Sequence, residues 1–342
     1  MRSLLLAVAA VLAPLSIATP AMAQRNLNVP ATAGWKHSET GVILRASLAG
    51  LPRTAITDNT DAELDVLAQF GAPEATAITV YIFRPALQNA PIWFDRVETQ
   101  ILTRDIYGGA SPQGMPAAFA RPKSKTPSAL RRAYVPGRSA YKSTAAAVIP
   151  IGEWLVAIRI SSHDLDAATL DARLSDAIAG IGWPDGVAES PAAVPIAACP
   201  APLAYAKRAK LKKPDMGDAL IGSMLAGMVS DPTVEKVETG PVTWCREGTA
   251  TSEFGTYRAN ASTTSYIMAI GDAGTTVSVG GGFSLDKDPG YMLTLGLLDR
   301  TLVYPSFNGL PRPEAAYQAV KTSQPISSTS RGSTDINIHT VK

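Results

Sequence analysis

The chain is poor in the residues on which recognisable catalytic chemistry depends. It has two cysteines and three histidines in 342 residues. No pair of the histidines, His37, His163 and His339, has the spacing of a zinc site. No Gly-x-Ser-x-Gly elbow occurs, which disfavours a standard α/β-hydrolase, and glycines 280–282 lack the rest of a phosphate-binding loop. The sequence therefore indicates no catalytic residue, no metal site and no cofactor.

Charge is also scarce, and it is nearly balanced. Charged residues make up 18% of the chain and the formal net charge is +2, so no global field points to nucleic acid. Hydrophobic residues make up 46%, which excludes disorder of the whole chain. That content and length suffice for one large or two ordinary domains, each with its own core.

The first 23 residues have the pattern of a secretory signal peptide. Arg2 is their only charge, an apolar run extends from Leu4 to Leu12, and Ala21-Met22-Ala23 forms a small-x-small cleavage site. A retained membrane anchor is the alternative, but prolines shorten the run below the ~20 apolar residues that a span needs. We therefore expect cleavage after Ala23 and a soluble protein that is exported, to the periplasm in a Gram-negative cell.

The predicted compartment decides how the two cysteines are interpreted. In an oxidising space, Cys199 and Cys245 are expected to form a disulfide. Two buried thiols or a shared metal are the alternatives, although no histidine lies between them to complete a metal site. A redox role is disfavoured because the pair is not a Cys-x-x-Cys motif.

A proline- and alanine-rich stretch, Trp183 to Pro202, divides the chain into two patterned halves. Neither a helix nor a central strand can continue through it. We predict an α+β fold with two domains, each an antiparallel sheet with helices packed on it. The predicted boundaries are a signal peptide at 1–23, a flexible arm at 24–35, a first domain at 36–184, a linker at 185–197, a second domain at 198–320 and a disordered tail at 321–342. A short edge strand at 335–341 is the alternative for part of the tail. The flexible part of the linker is expected at 185–195.

The first half alternates strands and helices. Residues 76–83 form its clearest predicted strand, with β-branched and aromatic residues in alternation. A helix is predicted from Pro91 to the glycines at 108–109, and another from a cap at Asp164 or Asp166 to Gly180. Further strands are expected at 132–141, 143–149 and 153–161. This order predicts an antiparallel sheet with helices packed on it.

Four stretches of this half suggest a known family. They are His37-Ser-Glu-Thr-Gly41-Val-Ile, Leu48-Ala-Gly-Leu51-Pro-Arg, the strand at 76–83, and the strand at 154–160 that leads into the last helix. Over residues 36–184 the chain resembles the PsbP-like α/β sandwich. The resemblance implies an accessory or assembly factor without known catalysis, and it assigns no functional residue.

The second half resembles no known family. Helices are predicted at 202–213, 215–229 and 313–320. Strands are predicted at 240–246, 254–260, 265–270 and 275–285, with a hairpin turn at 271–274. Residues 291–303 fit two structures: Tyr291, Leu293 and Leu295 alternate as in a strand, whereas Tyr291, Leu295 and Leu298 also fit one face of a helix. We favour the strand.

One segment concentrates positive charge. Residues 121–142 contain seven basic residues and no acidic one: Arg121, Lys123, Lys125, Arg131, Arg132, Arg138 and Lys142. Tyr134 and Tyr141 are interleaved, and a second basic run occupies 207–213. The predicted binding residues are Arg131, Arg132, Tyr134, Arg138 and Lys142. Outside the cytoplasm, an anionic envelope component or an acidic protein is the expected partner, whereas a solvated surface is the alternative.

The sequence predicts an exported, non-enzymatic binding or accessory protein of the cell envelope, with an unknown partner. The alternative is a hydrolase whose site is assembled only in three dimensions. A deep pocket that holds a serine or histidine beside a carboxylate would favour the enzyme.

Overall fold

The computed structural model describes residues 24–214, 242–281, 290–333 and 335–339. The predicted signal peptide and the predicted helix at 215–229 lie outside these residues. Strands make up 39% of the structure and helices 15%, so the fold is mostly antiparallel sheet with few helices. No helix in the described ranges has the length and apolar character needed to cross a membrane.

The first half of the chain forms a sheet of ten strands and a separate two-stranded ribbon. In chain order its elements are β1 (Arg25–Asn26), β2 (Trp35–Lys36), β3 (Ile43–Leu44), β4 (Ser47–Leu48), β5 (Leu51–Asp58), β6 (Asp65–Gly71), β7 (Thr76–Phe83), α1 (Ala90–Thr103), a 3₁₀ turn (Asp105–Tyr107), β8 (Ser111–Pro112), β9 (Ala117–Phe119), β10 (Ala129–Val135), β11 (Ser143–Ile151), β12 (Trp154–Ser162) and α2 (Ala167–Gly180).

The strands of the large sheet are antiparallel, in the order β1-β5-β6-β7-β12-β11-β10-β8, with β4 beside β5 and β9 beside β10. Helices cover both of its faces. Ala145 and Ala147 of β11 belong to the cluster that includes α2, whereas Ala146 and Val148 belong to the cluster that includes α1. Every residue of β11 is buried for this reason. The predicted antiparallel sheet with packed helices is confirmed here.

Side-chain caps fix where both helices begin. Asn89 Oδ1 accepts a hydrogen bond from the Ile92 amide at 3.0 Å, and Pro91 lies in the first turn of α1, where its missing N–H costs nothing. Asp166 Oδ1 accepts from the Thr169 amide at 2.8 Å, so Asp166 rather than Asp164 caps α2.

The second half forms one nine-stranded sheet in which the strands follow one another in chain order. Its elements are β13 (Ala197–Ala198), β14 (Trp244–Glu247), β15 (Phe254–Ala259), β16 (Tyr266–Ile270), β17 (Thr275–Gly281), β18 (Tyr291–Gly296), β19 (Arg300–Phe307), α3 (Pro313–Thr322), β20 (Ser327–Ser330) and β21 (Ile336–Ile338). Among the described strands of this sheet, β13 and β14 pair in parallel and the other neighbours are antiparallel. Residues 291–303 fall in β18 and β19, so the favoured strand interpretation is confirmed.

Two expectations for this half are wrong. Residues 202–213 form no helix, because their amides bond to distant acceptors: the Ala206 amide donates to Leu310 O and the Lys212 amide to Ser306 O. The tail, expected to be disordered at 321–342, contains the end of α3 and two strands in its described residues, and β21 (Ile336–Ile338) confirms the alternative of an edge strand within 335–341. In that tail, β20 pairs with β19 and β21 pairs with β20, which places Ser327 in a fully buried position.

The predicted disulfide is present. Cys199 and Cys245 are bonded, with their Cα atoms 4.8 Å apart. The parallel pairing of β13 with β14 brings them together, because the Cys199 amide donates to Arg246 O at 2.9 Å. The disulfide therefore ties the end of the proline-rich stretch to the second sheet.

Candidate functional site

Helix α1 lies between the two sheets and packs against both. A single apolar cluster contains Trp93 and Phe94 of α1, Phe83 of the first sheet, and Tyr257 and Ala269 of the second. Trp93 is completely buried and Phe94 is 2% exposed. The halves on either side of the proline-rich stretch thus share one core at this helix.

Polar contacts hold the same surface together. Asp95 of α1 accepts hydrogen bonds from Arg246 Nη1 at 2.5 Å and from the Tyr257 hydroxyl at 2.7 Å. The neighbouring Arg96 is fully buried and donates to Gly271 O at 2.7 Å and to Ser252 O at 3.1 Å. Burial raises the pKa of Asp95, and the hydrogen bond from Tyr257 opposes that rise. Burial also raises the pKa of Tyr257, and the neighbouring Asp95 carboxylate adds to the rise.

The turn between β16 and β17, residues 271–274, reaches across to the first sheet. Gly274 O accepts the Ala86 amide at 2.8 Å. Gly274 has a φ of +96°, and a Cβ there would lie 2.8 Å from Leu298 and 3.0 Å from Pro85. Glycine is therefore required on both backbone and steric grounds. This contact fixes the turn beside the end of β7, a central strand of the first sheet.

A cavity of about 160 Å³ lies beneath this turn, between the two sheets. Its lining residues are Asn59, Asp65, Tyr81, Phe83, Val97, Ala157, Ile158, Arg159, Asp272 and Ala273. The register explains the open space, because Tyr81 pairs directly with Ala157, whose small side chain leaves the position beside the phenol unfilled. Val97 of α1 closes one side, and Asp272 and Ala273 of the turn cover the top.

One carboxyl in the cavity is only partly satisfied. Asn59 Nδ2 donates to Asp65 Oδ2 at 3.0 Å, and within the described ranges no residue bonds to Oδ1. Burial raises the pKa of Asp65, the nearby Asp58 and Asp272 carboxylates add to the rise, and the Asn59 hydrogen bond opposes it. The ionised form of Asp65 is therefore less favourable than that of a carboxylate in water.

Two donor groups in the cavity also have hydrogen-bonding capacity that no described residue uses. Arg159 Nη2 donates to Asp272 Oδ2 at 3.2 Å, which joins the first sheet to the turn, but Arg159 Nε has no hydrogen-bond partner in the part of the chain described here. The Tyr81 hydroxyl likewise bonds to none of the described residues, and burial raises its pKa. Partly satisfied polar groups in a cavity with apolar walls are typical of a small-ligand site.

The predicted basic contact residues lie elsewhere, and most of them are already paired. Arg131 bonds to Asp171 and to Ser175, whereas Arg132 Nη1 donates to Glu98 Oε1 at 2.7 Å. Tyr134 is completely buried and donates to the same Glu98 oxygen at 3.1 Å. Tyr134 therefore does not lie at a surface where it could contact a partner.

Arg138 and Lys142 differ from the other predicted contact residues because they are exposed. Lys142 Nζ donates to Asp164 O at 3.0 Å, which leaves its charge unneutralised by a carboxylate. Lys125, which is not among the predicted contact residues, is also exposed and has no ion pair in the described ranges, so Arg138 and Lys142 are not the only solvent-facing charges of the segment. The structure does not bring these two residues near the cavity between the sheets.

The three histidines have structural partners. His37 is fully buried, lies against Trp154 with ring centroids 4.6 Å apart, and bonds through Nε2 to Glu63 O and through Nδ1 to the Thr40 amide. A carbonyl only accepts and an amide only donates, so His37 carries its proton on Nε2. His163 bonds to Pro73 O and His339 to the Ser328 hydroxyl.

The proline-rich stretch packs against the first sheet over part of its length. Glu189 accepts hydrogen bonds from the Ser124 hydroxyl at 2.7 Å and from the amides of residues 125 and 126. Ala193 is buried, and its amide donates to Pro127 O at 2.9 Å. A groove of about 550 Å³ follows residues 190–196, but no charged side chain is among its described lining residues.

Sequence reasoning missed the cavity residues because they are distant in sequence. Asp65 and Arg159 are charged residues within predicted or patterned strands, on the same face as the apolar Phe83 and Ala157. A charge on the apolar side of an alternating strand was the available signal. Asp272 was part of a predicted turn, and turns rich in Gly and Asp are too common to indicate a site.

Comparison with protein-family models, with curated proteins and with solved structures finds no match for this chain. The resemblance of the first half to the PsbP-like sandwich therefore stays a prediction. The cavity, its lining residues and the contacts that hold the two sheets together are the features of the chain that bear on function.

Proposed function

We propose that the chain is an exported, non-enzymatic binding protein that takes a small ligand in the cavity between its two sheets. Export follows from the predicted signal peptide at residues 1–23, and the disulfide is compatible with an oxidising compartment such as the periplasm. The cavity is the observation that carries the proposal, because polar groups from both sheets converge there beside apolar walls.

Pre-organisation of the cavity supports this proposal. Arg96 and Asp95 bond α1 to the second sheet, and Gly274 bonds the covering turn to the first sheet. The floor and the cover of the cavity are therefore held at a fixed separation before any ligand arrives. A site whose walls need no ordering on binding loses less affinity to conformational entropy.

A role as an accessory factor of the envelope is the broader part of the proposal. It rests on the resemblance of residues 36–184 to PsbP-like proteins and on the basic segment. Of the predicted contact residues, Arg138 and Lys142 are the ones that could meet an anionic envelope component, because Arg131 and Arg132 already pair with acids.

The alternative, a hydrolase with a site assembled in three dimensions, has one observation in its favour. The cavity holds two carboxyl groups in different environments: Asp65, whose pKa burial raises, and Asp272, which pairs with Arg159. A protonated acid beside an ionised carboxylate is the arrangement of glycoside hydrolysis. Turnover of a glycoside that stops on Asp65→Asn would favour this alternative over binding alone.

Filling the cavity tests the binding function. Ala157→Leu adds three carbon atoms beside Tyr81, where the cavity has room for them, so we expect the variant to fold. Ligand-observed NMR would screen small alcohols, amides, carboxylates and amines against the native chain and this variant. The matched control is Ala140→Leu, at an exposed position.

We expect fragments that bind the native chain and the control to lose binding at least tenfold in Ala157→Leu. Thermal unfolding of all three proteins would establish that each is folded. Fragment binding that is equal in Ala157→Leu and in the native chain, or the absence of any binding fragment, would contradict a ligand site in this cavity.

A further inference from the structure

We propose that the cavity between the sheets selects a small primary amine, with its ammonium group on Asp65 and its alkyl chain against Phe83, Val97 and Ala157. This inference rests on the proposed binding function and specifies the ligand class for the same site. It is argued from the charges, the hydrogen-bonding capacity and the size of the cavity.

The charges that line the cavity do not balance. Arg159 pairs with Asp272, whereas among the described residues Asp65 has the neutral amide of Asn59 as its one side-chain partner. With all three groups ionised, the lining carries one excess negative charge. Coulomb attraction is strong where the effective dielectric constant is low, so a cation that enters the cavity is favoured and an anion is repelled.

The free acceptors match an ammonium group. An ammonium has three donors, and Asp65 Oδ1 and the Tyr81 hydroxyl oxygen are both free to accept in the described structure. The aromatic rings of Tyr81 and Phe83 line the same space, and aromatic faces attract a desolvated cation. A carboxylate ligand would find Arg159 Nε, the Tyr81 hydroxyl and the second Asn59 Nδ2 hydrogen as donors, but it would lie beside two acids.

Size limits the ligand further. A cavity of about 160 Å³ holds on the order of six non-hydrogen atoms. Phe83, Val97 and Ala157 belong to the apolar cluster around α1, so the part of the ligand that faces them is a hydrocarbon. A chain of about four carbon atoms with one terminal amine meets both requirements.

The protonation of Asp65 makes the affinity for an amine depend on pH, so the inference can also be tested without a variant. The ionisable groups around Asp65 are Asp58 from β5, Tyr81 from β7, Arg159 from β12, Asp272 from the turn, and Arg104 beyond the end of α1. Burial raises the pKa of Asp65 in the free protein, and a bound ammonium favours the ionised carboxylate. Binding therefore releases a proton, and affinity increases as pH rises through the pKa of free Asp65.

The experiment measures dissociation constants of n-butylammonium, 1-butanol and butyrate by NMR titration at pH 8 and at pH 4. Asp65→Asn keeps the shape of the side chain and removes its charge. The matched control is Asp61→Asn, which removes an exposed carboxylate from the loop that precedes β6. Thermal unfolding would verify that both variants are folded.

We expect butylammonium to bind at least tenfold more tightly than butanol or butyrate at pH 8, and at least tenfold more weakly in Asp65→Asn. The control should match the native chain, and native affinity should fall between pH 8 and pH 4. If butanol or butyrate binds as tightly as butylammonium, with loss in Ala157→Leu, the amine inference is wrong and the cavity remains a binding site. If no probe binds the native chain, the inference and the proposed function both fail.

Discussion

Replacing Asp95 with alanine is the most direct way to test whether α1 joins the two sheets into one cooperative unit. The Asp95 carboxylate accepts one hydrogen bond from Tyr257 and one from Arg246, and both donors belong to the second sheet. Asp95→Ala removes both contacts without adding atoms to the core. Its effect on the free energy of unfolding therefore measures what the polar contact contributes.

The two partners lose different amounts of stabilisation. Tyr257 is completely buried, so its hydroxyl would lose its acceptor where water cannot replace it, which costs roughly 1–3 kcal/mol. The Arg246 side chain is 32% exposed and can be rehydrated, so its loss is about 0.5–1 kcal/mol. Burial raises the pKa of Asp95, and removal relieves part of that desolvation cost. We expect a net loss of about 2 kcal/mol.

Urea unfolding followed by tryptophan fluorescence is the assay, because Trp93 reports on α1 and Trp244 on the second sheet. Asp176→Ala is the matched control, since Asp176 is an exposed aspartate within helix α2. A double-mutant cycle with Tyr257→Phe should give a coupling energy of about 1 kcal/mol. A loss no larger than that of the control, with no coupling to Tyr257→Phe, would refute the reasoning.

Three further predictions follow from separate contacts. Replacing both cysteines with serine removes the crosslink across 46 residues and should cost about 4 kcal/mol in urea unfolding; an unchanged midpoint would contradict this. Hydrogen bonds from residues 124–126 lower the pKa of Glu189 to about 2. The bonds are therefore fully present above the unfolded pKa and are lost as pH falls through about 2. NMR shifts of the amides in this loop that change near pH 4.5 instead would refute this prediction. Arg138→Ser with Lys142→Ser should weaken salt-sensitive retention on envelope fractions, whereas equal retention would exclude this contact.

Local pattern was sufficient for most of the strands and helices. Residues 76–83 form β7 as predicted, and Pro91 with its preceding Asn89 begins α1 where the pattern placed a helix. Both depend on contacts between residues close in sequence, such as a cap or the alternation of one strand. The failures at 202–213 and in the tail have the opposite cause, because partners on β19 and near Leu310 decide those segments.

The basic segment shows the same limit for function. A run of charges without acids predicted an exposed contact surface, but acids from other elements reach it: Glu98 comes from α1 and Asp171 from α2. The pattern of charges along the chain shows which charged residues are neighbours in sequence, but not which acids the fold places beside them. The sign and the exposure of a surface depend on residues that the fold brings from elsewhere, so the ion pairs of Arg131 and Arg132 could not be predicted from their own segment.

At the cavity, charged side chains occupy positions of the core that apolar side chains could fill. Most of the face of the sheet that meets α1 is filled by apolar side chains, and the charge of Arg132 on that face is paired with Glu98 of α1, yet Asp65 and Arg159 occupy the same face beside the cover provided by Asp272. Apolar residues of similar size at these positions would avoid the desolvation that raises the pKa of Asp65 and would leave no Arg159 Nε without a partner. Such departures from local consistency concentrate at functional sites. A ligand that bonds to Asp65 and Tyr81 would satisfy the polar groups that the protein alone leaves incomplete.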